Sequence, residues 1–253
     1  AGRGLPTLHR YFRLRQRLLG LPDLAYHDIY PDMVASPRRF PLQETAALTL
    51  ASVAPLGADY QALLAQAYAA GTMHVHPAPG KSSGAYQSGI YGQTPLIFLN
   101  HQDSFGSAST FTHEWGHGMH TILANRTQPY ETSRYPLFIA EIAAFTHELL
   151  LQEHVLRHAG TREERLFFLG EALERLRAAF FRQAMFAEFE LATHDAVQRG
   201  EALTGRRLTQ LYCELLGRYH GQAQGVMTLD PVVCNEWAYI PHFYRPFYVY
   251  QYA

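Results

Sequence analysis

The sequence predicts a mostly α fold with a small β hairpin or edge strand, on three observations. Long Ala- and Leu-rich stretches carry apolar residues at helical spacing, strand-type patterning is confined to residues 95–100, and glycines and prolines crowd the segment just before it. With 253 residues and 47% hydrophobic composition, the chain can bury a substantial core.

Residues 8–19 alternate arginines with apolar residues at helical period and end near Gly20-Leu21-Pro22, which reads as an amphipathic helix. Residues 43–69 form a second helical stretch that Pro55 and Gly57 divide into two shorter helices. Between residues 71 and 100, seven glycines and prolines precede Pro95-Leu96-Ile97-Phe98-Leu99-Asn100, a loop and hairpin that deliver one buried or edge strand. Helical patterning then returns over 107–125, 135–158, 161–199 with a break expected near Gly170, and 205–219. The last segment is dense in tyrosine and phenylalanine and stops in mid-pattern, and the first residue is Ala rather than Met. No repeat, low-complexity tract or linker is evident. Residues 1–253 are therefore expected to form a single partial domain of a longer protein, with no internal boundary.

Composition excludes several function classes. Lys plus Arg number 21 against 22 for Asp plus Glu, a net charge of -1 that leaves no basic footprint for nucleic acid or an anionic membrane. No apolar run approaches the ~18 to 20 residues that span a bilayer, and the N-terminal stretch lacks the apolar core of a signal peptide, so a soluble chain is expected. One bridge would add little to a chain of this size. Cys213 and Cys234 are accordingly expected to be free packing thiols in a reducing, cytoplasmic setting.

The fourteen histidines raise the prospect of metal chemistry. In His113-Glu114-Trp115-Gly116-His117 the two imidazoles lie four residues apart, leave the same helix face and can converge on one ion. Glu114 points about 100° away, badly placed to share the ion but suited to act as a general base on water beside it. A catalytic zinc takes three protein ligands and keeps one position for water. His120 falls on the same face as the pair, yet about 10 Å of helix rise separates it from His113, too far for bonds near 2 Å. Glu141, in the apolar run Phe138-Ile139-Ala140-Glu141-Ile142, is the better candidate, because a buried carboxylate needs a cation; the competing reading is an ordinary ion pair or a surface glutamate. Glu131, Glu148 and Glu153 have more polar surroundings or lie farther along the helix. His242, Tyr244, Tyr248 and Tyr250 offer donors for a developing oxyanion, although the segment taken alone also reads as an aromatic core element. His74 and His76 lack a third partner and receive no site, and Gly80-Lys81-Ser82-Ser83-Gly84 lacks the order of a phosphate loop.

Taken together, these residues resemble the zinc peptidase family of oligoendopeptidase F and thimet oligopeptidase, with the oligoendopeptidase F branch the more similar. His113-Glu114-Trp115-Gly116-His117-Gly118-Met119-His120 is similar to the family's HExGHxMH, and Phe138-Ile139-Ala140-Glu141 stands where its third zinc ligand does. Ser83-Gly84-Ala85-Tyr86 with residues 95–100 looks like its Gly-rich loop and active-site edge strand. Residues 240–253 resemble the segment whose His and Tyr side chains bind substrate. The resemblance implies a helical zincin-type catalytic domain and an endopeptidase that cuts internal bonds of unstructured oligopeptides, with one Zn2+ per chain held by His113, His117 and Glu141. It further implies that Gly84 and Tyr86 contact the peptide, and that His242 and a tyrosine, Tyr250 before Tyr244 or Tyr248, steady the intermediate. Family members are longer, so the missing remainder is an expected partner. An aminopeptidase or carboxypeptidase with the same ligands, and an inactive zinc-binding fragment, are the alternatives.

Overall fold

The computed structural model describes residues 2–251; Tyr252 and Ala253, which close the aromatic segment, lie outside the described residues. Packing divides the chain into two compact units, Ser36–Arg165 and the combination of Ala1–Ala35 with Leu166–Ala253, where the sequence offered no boundary.

In the first unit, α helices α1 (Leu42–Ser52) and α2 (Ala58–Ala69) are separated by a short turn at Pro55 and Gly57, as expected. A three-stranded sheet follows: β1 (Met73–His74), β2 (Tyr86–Ser88) and β3 (Leu96–Phe98). β3 is the middle strand, parallel to β1 with Met73 opposite Ile97 and antiparallel to β2 with Gln87 opposite Ile97. Of the two expected placements of residues 95–100, a buried or an edge strand, the structure has the buried one: Ile97 is buried in the core, and the edges are the short strands β1 and β2. Helix α3 (Phe105–Thr127) starts at Ser104, whose hydroxyl accepts the Ser107 amide and satisfies one of the free N–H groups of the first turn. Phe111, Trp115 and Met119, at intervals of four, are fully buried against Val53, Leu64, Ile97 and Leu99. That stripe fixes the rotation of α3 and leaves a different face for α4 (Leu137–His158).

The second unit contains the helix Leu5–Leu18, the helix Gln183–Gln198 and the helix Gly205–His220, which bury Leu8, Phe12, Met185, Phe186, Phe189, Tyr212 and Leu216 in one core. The helix Arg162–Leu176 runs through Gly170 without a break; the irregularity is instead a π segment, Arg177–Arg182, that leads directly into the next helix. Cys213 and Cys234 form a disulfide, overturning the expectation of free thiols: the 3-10 segment Pro231–Tyr239 packs along the helix Gly205–His220 and brings the two residues together. Within this core Glu236 accepts hydrogen bonds from Tyr26 (2.9 Å), Tyr212 (2.5 Å) and Arg182 (2.5 Å). No helix among the described residues is long and apolar enough to cross a membrane.

Candidate metal centre

His113 and His117 leave the face of α3 that α4 covers, and Glu141 in the second turn of α4 meets them. The three facing atoms form a nearly equilateral triangle. His113 Nε2 and His117 Nε2 are 3.2 Å apart, and Glu141 Oε2 lies 3.3 Å from the first and 3.5 Å from the second. A tetrahedral zinc with bonds of about 2.0–2.1 Å holds its ligand atoms about 3.3 Å apart, so the triangle has the dimensions of one face of that polyhedron. Glu141 is 5% exposed, and its Oε2 is buried without a hydrogen-bond partner, an arrangement that calls for a cation. The donor set of two imidazoles and a carboxylate suits zinc.

Two features bring these atoms into register. Gly116 lies between the histidines on α3, where a Cβ would come within 2.6 Å of the Ala144 Cα and 2.8 Å of the Ala143 carbonyl oxygen. Glycine is therefore required for α4 to approach so closely. Behind His113, Glu148 Oε1 accepts from Nδ1 at 2.5 Å, while Glu148 Oε2 accepts from Ser109 Oγ at 3.2 Å. With the proton drawn to Nδ1, the Nε2 lone pair faces Glu141 and His117. Burial opposes charge on His113, but the carboxylates of Glu141 and Glu148 beside it prevail and push its pKa well up. Burial likewise opposes the Glu141 carboxylate, and the two histidines overcome it, holding its pKa far below the usual range.

The role of Glu148 escaped the sequence, which considered it only as a ligand and set it aside. Its spacing of seven from Glu141 carried the missing signal, because two helical turns return a side chain to the same face.

Glu114 stays outside the triangle. It is buried, with Oε2 unpaired, and burial raises its pKa against the opposing pull of His113 and His117. Such a carboxylate is a better proton acceptor than an exposed one. His120 stacks on Tyr135, with ring centroids 3.6 Å apart and planes 7° from parallel, and has no place in the ligand group. Tyr86 is half exposed on the edge strand β2 and stacks on Phe98 at 4.7 Å. Gly84 adopts φ +87°, and the Asn100 side-chain amide donates to its carbonyl at 2.9 Å. His242, Tyr244, Tyr248 and Tyr250 all belong to the other unit. There His242 and Tyr248 are ring neighbours at 5.2 Å, the Tyr244 hydroxyl donates to the Ala238 carbonyl, and Tyr250 is 39% exposed.

The family model described as Peptidase family M3 matches residues 3–253. The chain belongs to peptidase family M3. Oligopeptidase PepF of Bacillus subtilis is 38% identical over 250 residues, covering 98% of this chain and 37% of that protein. A crystal structure from Chlamydophila abortus superposes with a TM-score of 0.78 at 36% identity over 99% of this chain and 41% of that one. Oligoendopeptidase-F from Enterococcus faecium gives a TM-score of 0.66 at 27% identity, with 99% and 37% covered. The M3 chain thus spans about two fifths of the length of these relatives. Members of the M3 family are metallopeptidases, and among the described residues His113, His117 and Glu141 form a group that could hold the metal.

Proposed function

We propose that this chain carries the catalytic site of a zinc-dependent endopeptidase that hydrolyses internal bonds of short, unstructured oligopeptides. The observation that carries the reading is the triangle of His113 Nε2, His117 Nε2 and Glu141 Oε2, with edges of 3.2 to 3.5 Å, beside the buried carboxylate of Glu114. When bound, zinc supplies Lewis acidity: it acidifies water toward a pKa of about 7 and polarises the scissile carbonyl. Glu114 accepts the proton of the attacking water as its oxygen bonds to the carbonyl carbon. It then delivers that proton to the amine as the C–N bond breaks.

The backbone of edge strand β2 offers pairing groups to an extended peptide, with Tyr86 and Gly84 as contacts. His242 and the tyrosines donate to the oxyanion, Tyr250 first, followed by Tyr244 and Tyr248. Nucleic acid has no part in this reading, and the protein's remaining segments complete the substrate channel. A cytoplasmic location belongs to the reading for the reduced chain. The Cys213–Cys234 bridge argues for an oxidising compartment, and a thiol count on protein taken from cells decides between them.

The test is zinc content by elemental analysis of wild type and Glu141→Ala, with cleavage of a quenched fluorescent peptide blocked at both ends. One zinc per chain, lost in Glu141→Ala, together with chelator-sensitive cleavage, is the expected result. Cleavage only of peptides with a free terminus would replace the endopeptidase by an exopeptidase, and a folded wild type without zinc would remove the reading altogether.

A further inference from the structure

The aromatic segment that carries His242 and the tyrosines consists of two short 3-10 turns, Pro241–Tyr244 and Tyr248–Gln251. Between them lie Arg245, Pro246 and Phe247. The Arg245 amide donates to the His242 carbonyl and the Tyr248 amide to the Arg245 carbonyl, which closes both turns locally. Proline has no amide hydrogen. The Phe247 amide is thus left to find a partner outside the segment, and it donates to the side chain of Glu190 on the helix Gln183–Gln198.

Phe247 needs an external hold for a second reason. Its φ is +59°, a left-handed conformation that is sterically costly for a bulky L-residue and persists only where its surroundings impose it. Core burial does not impose it, since Phe247 is 58% exposed. One side of its ring lies on His194, with centroids 4.9 Å apart and planes 16° from parallel. Glu190 and His194 are one helical turn apart, so both restraints come from the same face of one helix.

Glu190 itself is 5% exposed. The ion-pairing group found for it among the described residues is His194, 3.9 Å from Oε1, and its Oε2 has no hydrogen-bond partner. A buried carboxylate so thinly compensated is costly to the fold, while its bond to a backbone amide is charge-assisted and strong.

We infer that Glu190 is a positioning residue that holds Phe247 in its left-handed turn and thereby sets the placement of Tyr248 and Tyr250 relative to His242. The inference rests on the oxyanion role proposed above for those side chains. Glu190 acts through the backbone, so its charge is dispensable and its acceptor oxygen is not.

The test uses the full-length, zinc-loaded protein with Glu190→Ala and Glu190→Gln. Amide hydrogen exchange is followed in peptides covering residues 240–251, with the helix Gly205–His220 as the folding control. Steady-state kinetics are measured on the doubly blocked peptide. Glu190→Ala should speed exchange in residues 240–251 alone and lower kcat on the order of 10²-fold with KM nearly unchanged, while Glu190→Gln should restore both. Unchanged exchange in Glu190→Ala, or faster exchange with kcat intact, overturns the inference and leaves the peptidase reading standing. A wild type that loads zinc but cleaves nothing removes both.

Discussion

Gly116 and Ala144 touch backbone to backbone: a Cβ added at Gly116 would sit 2.6 Å from the Ala144 Cα. This contact, three residues after His113 and one before His117, lets Glu141 on α4 come within 3.3 and 3.5 Å of the two imidazoles. Ordinarily Gly→Ala inside a helix is favourable by up to about 1 kcal/mol. Here overpacking wins, at a cost of about 1–3 kcal/mol, because the obstructing atoms are main chain and cannot swing aside. Gly116→Ala should therefore lower the Tm and weaken zinc binding together. Thermal unfolding and chelator competition measure the two, and a variant with native zinc affinity would show that the close approach is unrelated to the metal site.

Glu148 lies outside the triangle of facing atoms, yet it bonds one of its members, His113, from behind. By holding the proton on His113 Nδ1 it selects the tautomer whose Nε2 lone pair is free. Glu148→Gln keeps the side chain's shape but can donate its amide to the wrong nitrogen. Zinc affinity is expected to fall about 10- to 100-fold, with far-ultraviolet circular dichroism unchanged. Affinity equal to wild type in a chelator titration would show that Glu148 serves the fold alone.

Glu114 gives the opposite pattern. It lies outside the ligand triangle, so Glu114→Gln should bind zinc with native stoichiometry while cleavage falls about 10²- to 10⁴-fold, the range for loss of a general base. Parallel metal analysis and peptide hydrolysis distinguish the two roles. Loss of zinc in this variant would make Glu114 a ligand and reopen the assignment of Glu141.

These residues also mark what the sequence could and could not reveal. The meeting of His113, His117 and Glu141 was legible because helical spacing converts position directly into geometry and a carboxylate in an apolar run has few ways to be stable. Glu148 was hidden because its own neighbours say little about it, and the one signal, its spacing of seven from Glu141, emerges only when the two glutamates are read as a pair on one helix face. The central place of β3 was hidden because Met73–His74 and Tyr86–Ser88 are too short to show alternation. The pairing of Cys213 with Cys234 depends on how a 3-10 segment lies along a helix, which two isolated cysteines do not encode. The disruption expected at Gly170 arises instead at Arg177–Arg182, in residues with no helix-breaking character.

The fold itself carries a pH-dependent element in the second unit, at Glu236. Burial disfavours its charge, but the Arg182 guanidinium and the hydroxyls of Tyr212 and Tyr26 overcome that penalty and lower its pKa. A folded pKa below the unfolded value of about 4.3 means that Glu236 contributes its full stability above that value. The contribution is then lost as pH falls through the folded pKa. Glu236→Gln leaves Arg182 without its counter-charge in a largely buried position, which should cost about 3 kcal/mol near neutral pH. Urea unfolding of the two proteins from pH 7 to pH 3 measures both terms. The gap between wild type and Glu236→Gln should be constant down to about pH 4.3 and narrow below it. A gap that is the same at pH 3 and pH 7 would mean that the loss comes from packing and hydrogen-bond geometry rather than from the charge.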